Sequence, residues 1–415
     1  MTATITADME FDADTRNARQ ATPLRVLFVH NRYQIPGGED AAVEREIATL
    51  RATGVDVEAV ILDNSAIQTS FDRLRVAVQT PHAPQGIATV VEAAHRFRPD
   101  VVHVHNTFPL ISPAVHGAVR ELGAATVQTL HNFRLMCANG LLLREGSPCE
   151  RCVSGSPFQS VRFGCYRGSK VGTLAVARMI DHHRRAGTWL RDVDRFIVLS
   201  DFARARFLAA GLPAARLTIK PNGIDDPGPV ATGERSGILF VGRLSEEKGV
   251  RVLAEAAALV SQPITVIGDG PLMPELENVT GLRVLGQQNR EAVRAAMSRA
   301  AAVVVPSICY EGLPTVIPEA FAAGTPVVAS RIGAMPELIN EGVTGLLAEP
   351  GDAASLAAAL HRIHDDPAQA RRMGIAARSV FERTWVNDIV TAQTLAIYRE
   401  AIASRAADQT FQASA

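Results

Sequence analysis

The chain has 415 residues, of which 47% are hydrophobic and 20% charged, and its formal net charge is −1. That length accommodates two ordinary domains with separate cores, and the near-neutral balance gives no global reason to bind nucleic acid. No apolar run reaches the roughly 18 residues that a membrane-spanning helix needs.

Residues 1–22 are polar and carry Asp8, Glu10, Asp12 and Asp14. They lack the apolar centre of a secretory signal and read as a disordered tail, which points to a cytoplasmic chain. Beyond them short apolar runs alternate with helical patterns, the signature of parallel sheets built from strand–helix–strand units. Leu24–His30 reads as a strand, 41–53 as a helix, and Val55–Leu62, Asp100–His105, Ala125–His131 and Arg195–Ser200 as further strands. Residues 221–237 hold three prolines and four glycines with little periodicity, and read as a linker. A second series follows at Gly237–Gly242, Ile264–Gly268, Leu282–Leu285, Ala302–Pro306 and Thr325–Ser330. The expected architecture is α/β, with two doubly wound Rossmann-like domains facing a cleft. Their expected bounds are 23–220 and 238–384, with a helix at 385–405 packing back on the first domain and a tail at 406–415. Ligands in such sheets sit beyond the carboxyl ends of the strands.

Gly242-Arg243-Leu-Ser-Glu-Glu-Lys248-Gly249 follows one of these strands and precedes a helix expected over 250–260. A helix N-terminus disfavours a cation, so Lys248 there is better explained by a bound anion that the helix donors and Arg243 also reach. An exposed, solvated Arg/Lys pair is the plainer alternative. Further on, Glu311-Gly-Leu-Pro-Thr-Val-Ile-Pro-Glu319 sets two carboxylates across a loop-to-helix junction, and Pro318 suits the first turn of the helix. Carboxylates repel phosphate and accept hydrogen bonds from hydroxyls, which suits Glu319 to a ribose and Glu311 to a transferred sugar. The backbone amides of Leu313, Pro314-Thr315 and Val316 are placed to hold a distal phosphate, proline itself having none.

These residues, with Gly268-Asp-Gly-Pro271, Gly333, Pro336 and Glu337, resemble family-four retaining glycosyltransferases of the GT-B fold. The resemblance covers roughly 24–400 and is most specific in the second half. It implies that Arg243 and Lys248 bind the donor diphosphate, that Glu319 binds the ribose, and that Glu311 contacts the donor sugar. The base would be held near Leu285-Gly-Gln287. Gly37-Gly38-Glu39-Asp40 resembles the family's glycine loop, which closes over the donor from the opposite domain. His131 matches its active-site histidine, and His105 is expected on the acceptor side while His103 packs.

Cys137, Cys149, Cys152 and Cys165 are spaced C-x11-C-x2-C-x12-C. In a cytosolic chain such clustered thiols point to a structural zinc within an insertion at about 134–170, with four unliganded thiols as the alternative. This insertion departs from the common family pattern. Asp192-Val-Asp194 mimics a metal-binding pair but precedes a strand, and reads as chance. The expected catalytic cofactor requirement is none. Between Arg134 and Arg195 there are eleven Lys/Arg and five Asp/Glu. That excess is either a solvated face or a guide for an anionic lipid-linked acceptor, with any membrane contact peripheral at the inner face.

The expected function is transfer of a hexose-type sugar from a nucleotide sugar to a glycan or lipid-linked acceptor, in bacterial surface polysaccharide or glycolipid assembly. The alternatives are an epimerase or phosphorylase on the same scaffold, and a non-catalytic sugar-nucleotide-binding subunit.

Overall fold

The structure is a computed structural model that describes residues 23–34, 37–230 and 233–413. The expected tail at 1–22 and two residues of the expected linker lie outside them. The first domain is built on β1 (Arg25–Arg32), β2 (Asp56–Asp63), β3 (Val101–Asn106) and β4 (Ala125–Leu130). A two-residue hairpin, β5 (Leu143–Arg144) and β6 (Ser147–Pro148), interrupts the series before β7 (Arg195–Val198) and β8 (Leu217–Ile219). The main sheet is parallel, in the order β2-β1-β3-β4-β7-β8. Every residue of β3 and β4 is buried, because helices cover both faces.

The second domain contains β9 (Ile238–Val241), β10 (Ile264–Ile267), β11 (Leu282–Val284), β12 (Ala302–Val305), β13 (Val327–Ser330) and β14 (Gly345–Ala348). They form a parallel sheet in the order β11-β10-β9-β12-β13-β14. The order reverses between β9 and β12, and in the first sheet between β1 and β3. Crevices for ligands open at such switch points.

Several boundaries differ from those expected. The first helix spans Gly38–Ala52 rather than 41–53, because Asp40 accepts the Gly37 amide at 2.8 Å and closes the helix start early. The helix after Lys248 spans Val250–Ala257 and is preceded by a single 3₁₀ turn, Glu246–Lys248. The last helix runs from Asn387 to Ala413, so residues expected as a tail from 406 continue it. Its Ile397, Tyr398 and Ala401 are buried in the core of the first domain with Val26, Phe28 and Val127. The chain thus returns to the domain it left, and no helix of the described residues is long and apolar enough to cross a membrane.

Candidate active site

The second domain presents its charges at the β9/β12 switch point. Arg243 leaves the end of β9, and the 3₁₀ turn brings Lys248 back toward β12. Gly249 makes that turn compatible with the sheet: its φ is +69°, and a Cβ there would stand 1.8 Å from the Pro306 carbonyl oxygen. No other residue type fits both constraints. Lys248 Nζ then donates to Glu311 Oε2 at 2.8 Å, while Ser307 donates to Glu311 Oε1. Burial alone would lower the Lys248 pKa, but the Glu311 carboxylate beside it outweighs burial and raises it. Lys248 is therefore a fixed cation at neutral pH. Arg243 is half exposed, with Glu247 at 3.9 Å.

The carboxylate loop is held from behind. Ala334 N donates to the Glu311 carbonyl at 3.1 Å, and a Cβ on Gly333 would come within 2.8 Å of Glu311 N. The helix Val316–Ala322 follows, with Leu313 and Pro314 buried before it. Ile317 N and Glu319 N donate to the carbonyls of Pro314 and Thr315 at 3.0 and 3.1 Å. The amides of Thr315 and Val316 precede these, where a helix has no internal acceptors to offer. Burial raises the Glu319 pKa against the opposing charges of Arg45, Arg290 and Arg294. Arg45 comes from the first domain, so this carboxylate is set between domains.

The first domain meets these groups through its glycine loop. A Cβ on Gly38 would lie 3.1 Å from Thr315 Oγ1, and one on Gly37 would lie 3.8 Å from the Arg243 guanidinium. Glycine there lets the loop approach Thr315 and Arg243 of the second domain closely. Two further contacts fix the closure. Arg45 lies 3.5 Å from Asp225, which Arg294 also reaches at 3.0 Å, and Tyr310 packs edge-on against Phe202 at 4.8 Å.

Behind the loop, the first domain offers neutral imidazoles rather than charges. His131 stands just past β4, and its Nε2 shares a 2.9 Å hydrogen bond with His105 Nδ1. Burial pushes His131 down to about 3 and His105 well below its ordinary value, so both are uncharged at neutral pH. His105, expected on the acceptor side, is buried, bonds His131, and lines the same small cavity as His131 and Asn132. His103 packs as expected: its nitrogens meet Tyr398 Oη at 2.7 Å and Thr129 Oγ1 at 2.8 Å. Glu46, His103 and His105 bring donor atoms within 4.8 Å of one another. Most of that set is held by protein: Lys220 Nζ donates to Glu46 at 2.8 Å and both His103 nitrogens are bonded, while His105 Nε2 is buried without a partner, 3.9 Å from Glu46 Oε2.

One residue of the site escaped the sequence reading. Glu39 Oε2 accepts from Tyr33 Oη at 2.9 Å and from Asn132 Nδ2 at 3.3 Å, while Oε1 is buried without a partner. Burial pushes its carboxyl up to about 7. In sequence it is an acidic residue in a helix's first turn, which ordinarily just complements the dipole. Only the fold reveals that Asn132, beside His131, turns it inward. Asp194 of the Asp-x-Asp pair is structural: it accepts the Thr126 amide at 2.8 Å and pairs with Arg120.

Comparison with known proteins agrees with this geometry. The profile of the "Glycosyl transferase 4-like domain" matches residues 37–223, and that of "Glycosyl transferases group 1" matches 235–366. The chain is 31% identical to the alpha-D-kanosaminyltransferase of Streptomyces kanamyceticus over 68% of its own length and 72% of the relative's. Its fold superposes on sucrose-phosphate synthase from Thermosynechococcus elongatus with a TM-score of 0.68 at 21% identity, covering 92% of this chain and 100% of the other. Anabaena HepE, solved in complex with UDP-glucose, gives 0.61 at 20% identity over 90% and 99% of the two chains. Two parallel-sheet domains closing at their switch points, with both family profiles in register on them, place this chain among the group 1, GT4-like glycosyltransferases of the GT-B fold.

Proposed function

We propose that this glycosyltransferase moves a hexose-type unit from a nucleotide diphosphate sugar to an acceptor hydroxyl, with retention at the anomeric carbon and no divalent metal in the transfer step. The observation that carries the reading is the Lys248–Glu311 pair at the β9/β12 switch point, beneath a glycine loop from the other domain. A donor inserted there supplies both partners with substitutes. Its diphosphate takes Lys248 and Arg243, and the sugar hydroxyls take Glu311. Departure of the nucleoside diphosphate leaves an oxocarbenium-like centre, and fixed positive charge on the leaving group is the main protein contribution. Orientation of the two sugars by Glu311, His131 and the glycine loop supplies the rest. In front-face attack the leaving phosphate oxygen takes the acceptor proton, so no protein nucleophile is required. Neutral His131 fits a hydrogen-bonding role beside the transferred sugar, with Glu319 on the ribose. The amides near Leu313, Pro314 and Thr315 would receive the distal phosphate.

The setting we propose is bacterial surface polysaccharide or glycolipid assembly, with a glycan or lipid-linked acceptor. A surface feature supports peripheral membrane contact. The helix Ser70–Gln79 exposes Phe71, Leu74 and Val78 beside Arg73 and Arg75, and packs on a helix exposing Val171 and Leu174. The sequence reading found no such anchor. Apolar side chains rimmed by arginine fit an anionic lipid surface.

The test is a thermal-shift and turnover panel of UDP-, GDP-, ADP- and dTDP-sugars, with and without EDTA, followed by NMR of the product's anomeric configuration. One donor class should stabilise the wild type but not Lys248→Ala, and the shift should survive EDTA. An inverted product would remove the claim of retention. Binding without transfer to any acceptor would leave a sugar-nucleotide-binding subunit.

A further inference from the structure

The insertion between β4 and β7 brings four thiols together from separate turns. Cys137 ends the turn that begins just after His131, with its amide on the Phe133 carbonyl at 2.9 Å. The chain runs out through the β5/β6 hairpin and returns at Cys149, whose amide donates to the Leu142 carbonyl at 2.7 Å. Cys152 follows in the short helix Arg151–Ser154, which Arg184 grips through the carbonyls of Cys152 and Gly155 at 3.2 and 2.8 Å. Cys165 closes the circuit, its amide on the Ser160 carbonyl at 3.3 Å. Cys137, Leu142 and Val153 share one apolar cluster, which sets Cys149, on the Leu142 carbonyl, and Cys152, just before Val153, beside Cys137; Cys165 packs against the neighbouring cluster that holds Ala138. All four are free thiols.

We propose that Cys137, Cys149, Cys152 and Cys165 form a closed, tetrahedral structural zinc site that braces the wall carrying His131. Zinc–thiolate bonds of about 2.3 Å place the sulfurs roughly 3.8 Å apart. Among the described residues, only Glu46, His103 and His105 already hold three candidate ligand atoms within 4.8 Å, so the thiols must draw inward on the ion. Two observations favour a metal over idle thiols. The insertion carries its thiols on very short elements: the helix Arg151–Ser154 has four residues, and β5 and β6 have two each. Elements that short gain order from a cross-link. The charge is also complementary. A zinc bound by four thiolates carries a formal charge of −2, and Arg144 stacks on Phe163, two residues before Cys165, at 4.3 Å in a stretch with eleven basic and five acidic residues. That gives the local basic excess a second use besides meeting an acceptor.

The site would act on catalysis only through position. Cys137 shares its loop with His131 and Asn132, the partner of Glu39. Arg134, in the same loop, stacks between Phe108 and Tyr166, next to Cys165, at 4.8 and 5.4 Å. With all four positions taken by sulfur, the ion has no open place for substrate.

The experiment uses the purified full-length protein, expressed with zinc supplied. Elemental analysis should find close to one zinc per chain, and X-ray absorption should find four sulfur neighbours at about 2.3 Å. A mercurial thiol reagent should release the zinc as it consumes these thiols. Cys149→Ser with Cys152→Ser should abolish zinc retention, whereas Cys309→Ser should keep it. Wild-type protein that holds no zinc and alkylates freely at all four positions would overturn the proposal. Disulfides among the four, an iron–sulfur absorption band, or zinc held by other ligands would do the same. None of these outcomes depends on glycosyl transfer, so the zinc site and the proposed reaction stand or fall separately.

Discussion

Two lysine–glutamate pairs of equal length sit in different surroundings in this molecule. Lys220 donates to Glu46 at 2.8 Å, and Lys248 donates to Glu311 at 2.8 Å. The first pair is sealed: the Lys220 side chain is 1% exposed, and Thr394 of the last helix reaches it at 3.2 Å. The second opens to the cleft, with the Lys248 side chain 30% exposed. A sealed pair whose partners are all protein holds a fold together. A pair with one open side and a glycine loop overhead can exchange its partners for a ligand. Distance alone does not separate structural from functional charge; what else can reach the charge does.

Breaking the sealed pair should have the largest effect. Lys220→Met strands Glu46 among His103, His105 and Thr394, and should cost about 3–5 kcal/mol by denaturant unfolding. Burial would raise the Glu46 carboxyl, but the Lys220 charge and hydrogen bond together with the nearby imidazoles depress it to about 2, below its ordinary 4.5. That contribution is fully present above pH 4.5 and is lost as pH falls toward 2. Acid unfolding of the wild type between those values should therefore flatten in Lys220→Met.

Breaking the open pair should leave stability nearly unchanged and strike turnover instead. Lys248→Ala should lower kcat by about 10²- to 10³-fold, the usual cost of removing one preorganised stabiliser of transition-state charge. Glu311→Ala should match it, while Glu319→Ala should mainly raise the donor KM. Near-wild-type turnover by Lys248→Ala would end the comparison.

The interdomain contact gives a smaller, sharper test. Gly38→Ala places a methyl 3.1 Å from Thr315 Oγ1, so loop or threonine must yield by a few tenths of an ångström. Donor KM should rise by about tenfold at unchanged melting temperature, and Thr315→Ser should leave that contact in place. The smallest effect should come from Glu39. Its carboxyl is raised from 4.5 to about 7, so its contribution to stability is present below pH 4.5 and lost as pH rises through 7. Glu39→Gln should remove that decline in thermal melts run from pH 5 to pH 8. An unchanged slope would mean that Glu39 is not desolvated in solution.

The candidate residues of the second domain could be picked out in the sequence because they are charges at strand ends, and charge at a helix start is locally anomalous. Lys248 and Glu311 stood out for that reason. The first domain hides its site in neutral groups. His105 and His131 are ordinary residues of apolar strands until burial and the 2.9 Å contact between them set their state. In the sequence Glu39 reads only as part of the glycine loop, and the segment Ser70–Gln79 draws no reading at all. Neither can be read from a window of neighbours, since the deciding partners, Asn132 and the helix Lys170–Ala186, lie far along the chain.

The sequence by itself determined the alternation that makes two parallel sheets, the glycines that permit close approach, and the residue types available at each strand end. These are local properties, set by side-chain periodicity and backbone freedom. Tertiary structure alone decided which lysine is sealed and which is open, that His105 and His131 are paired and neutral, and that the last helix returns to the first domain. Those outcomes depend on desolvation and on contacts between distant segments, and a charge or an imidazole has no fixed role until the fold chooses its neighbours.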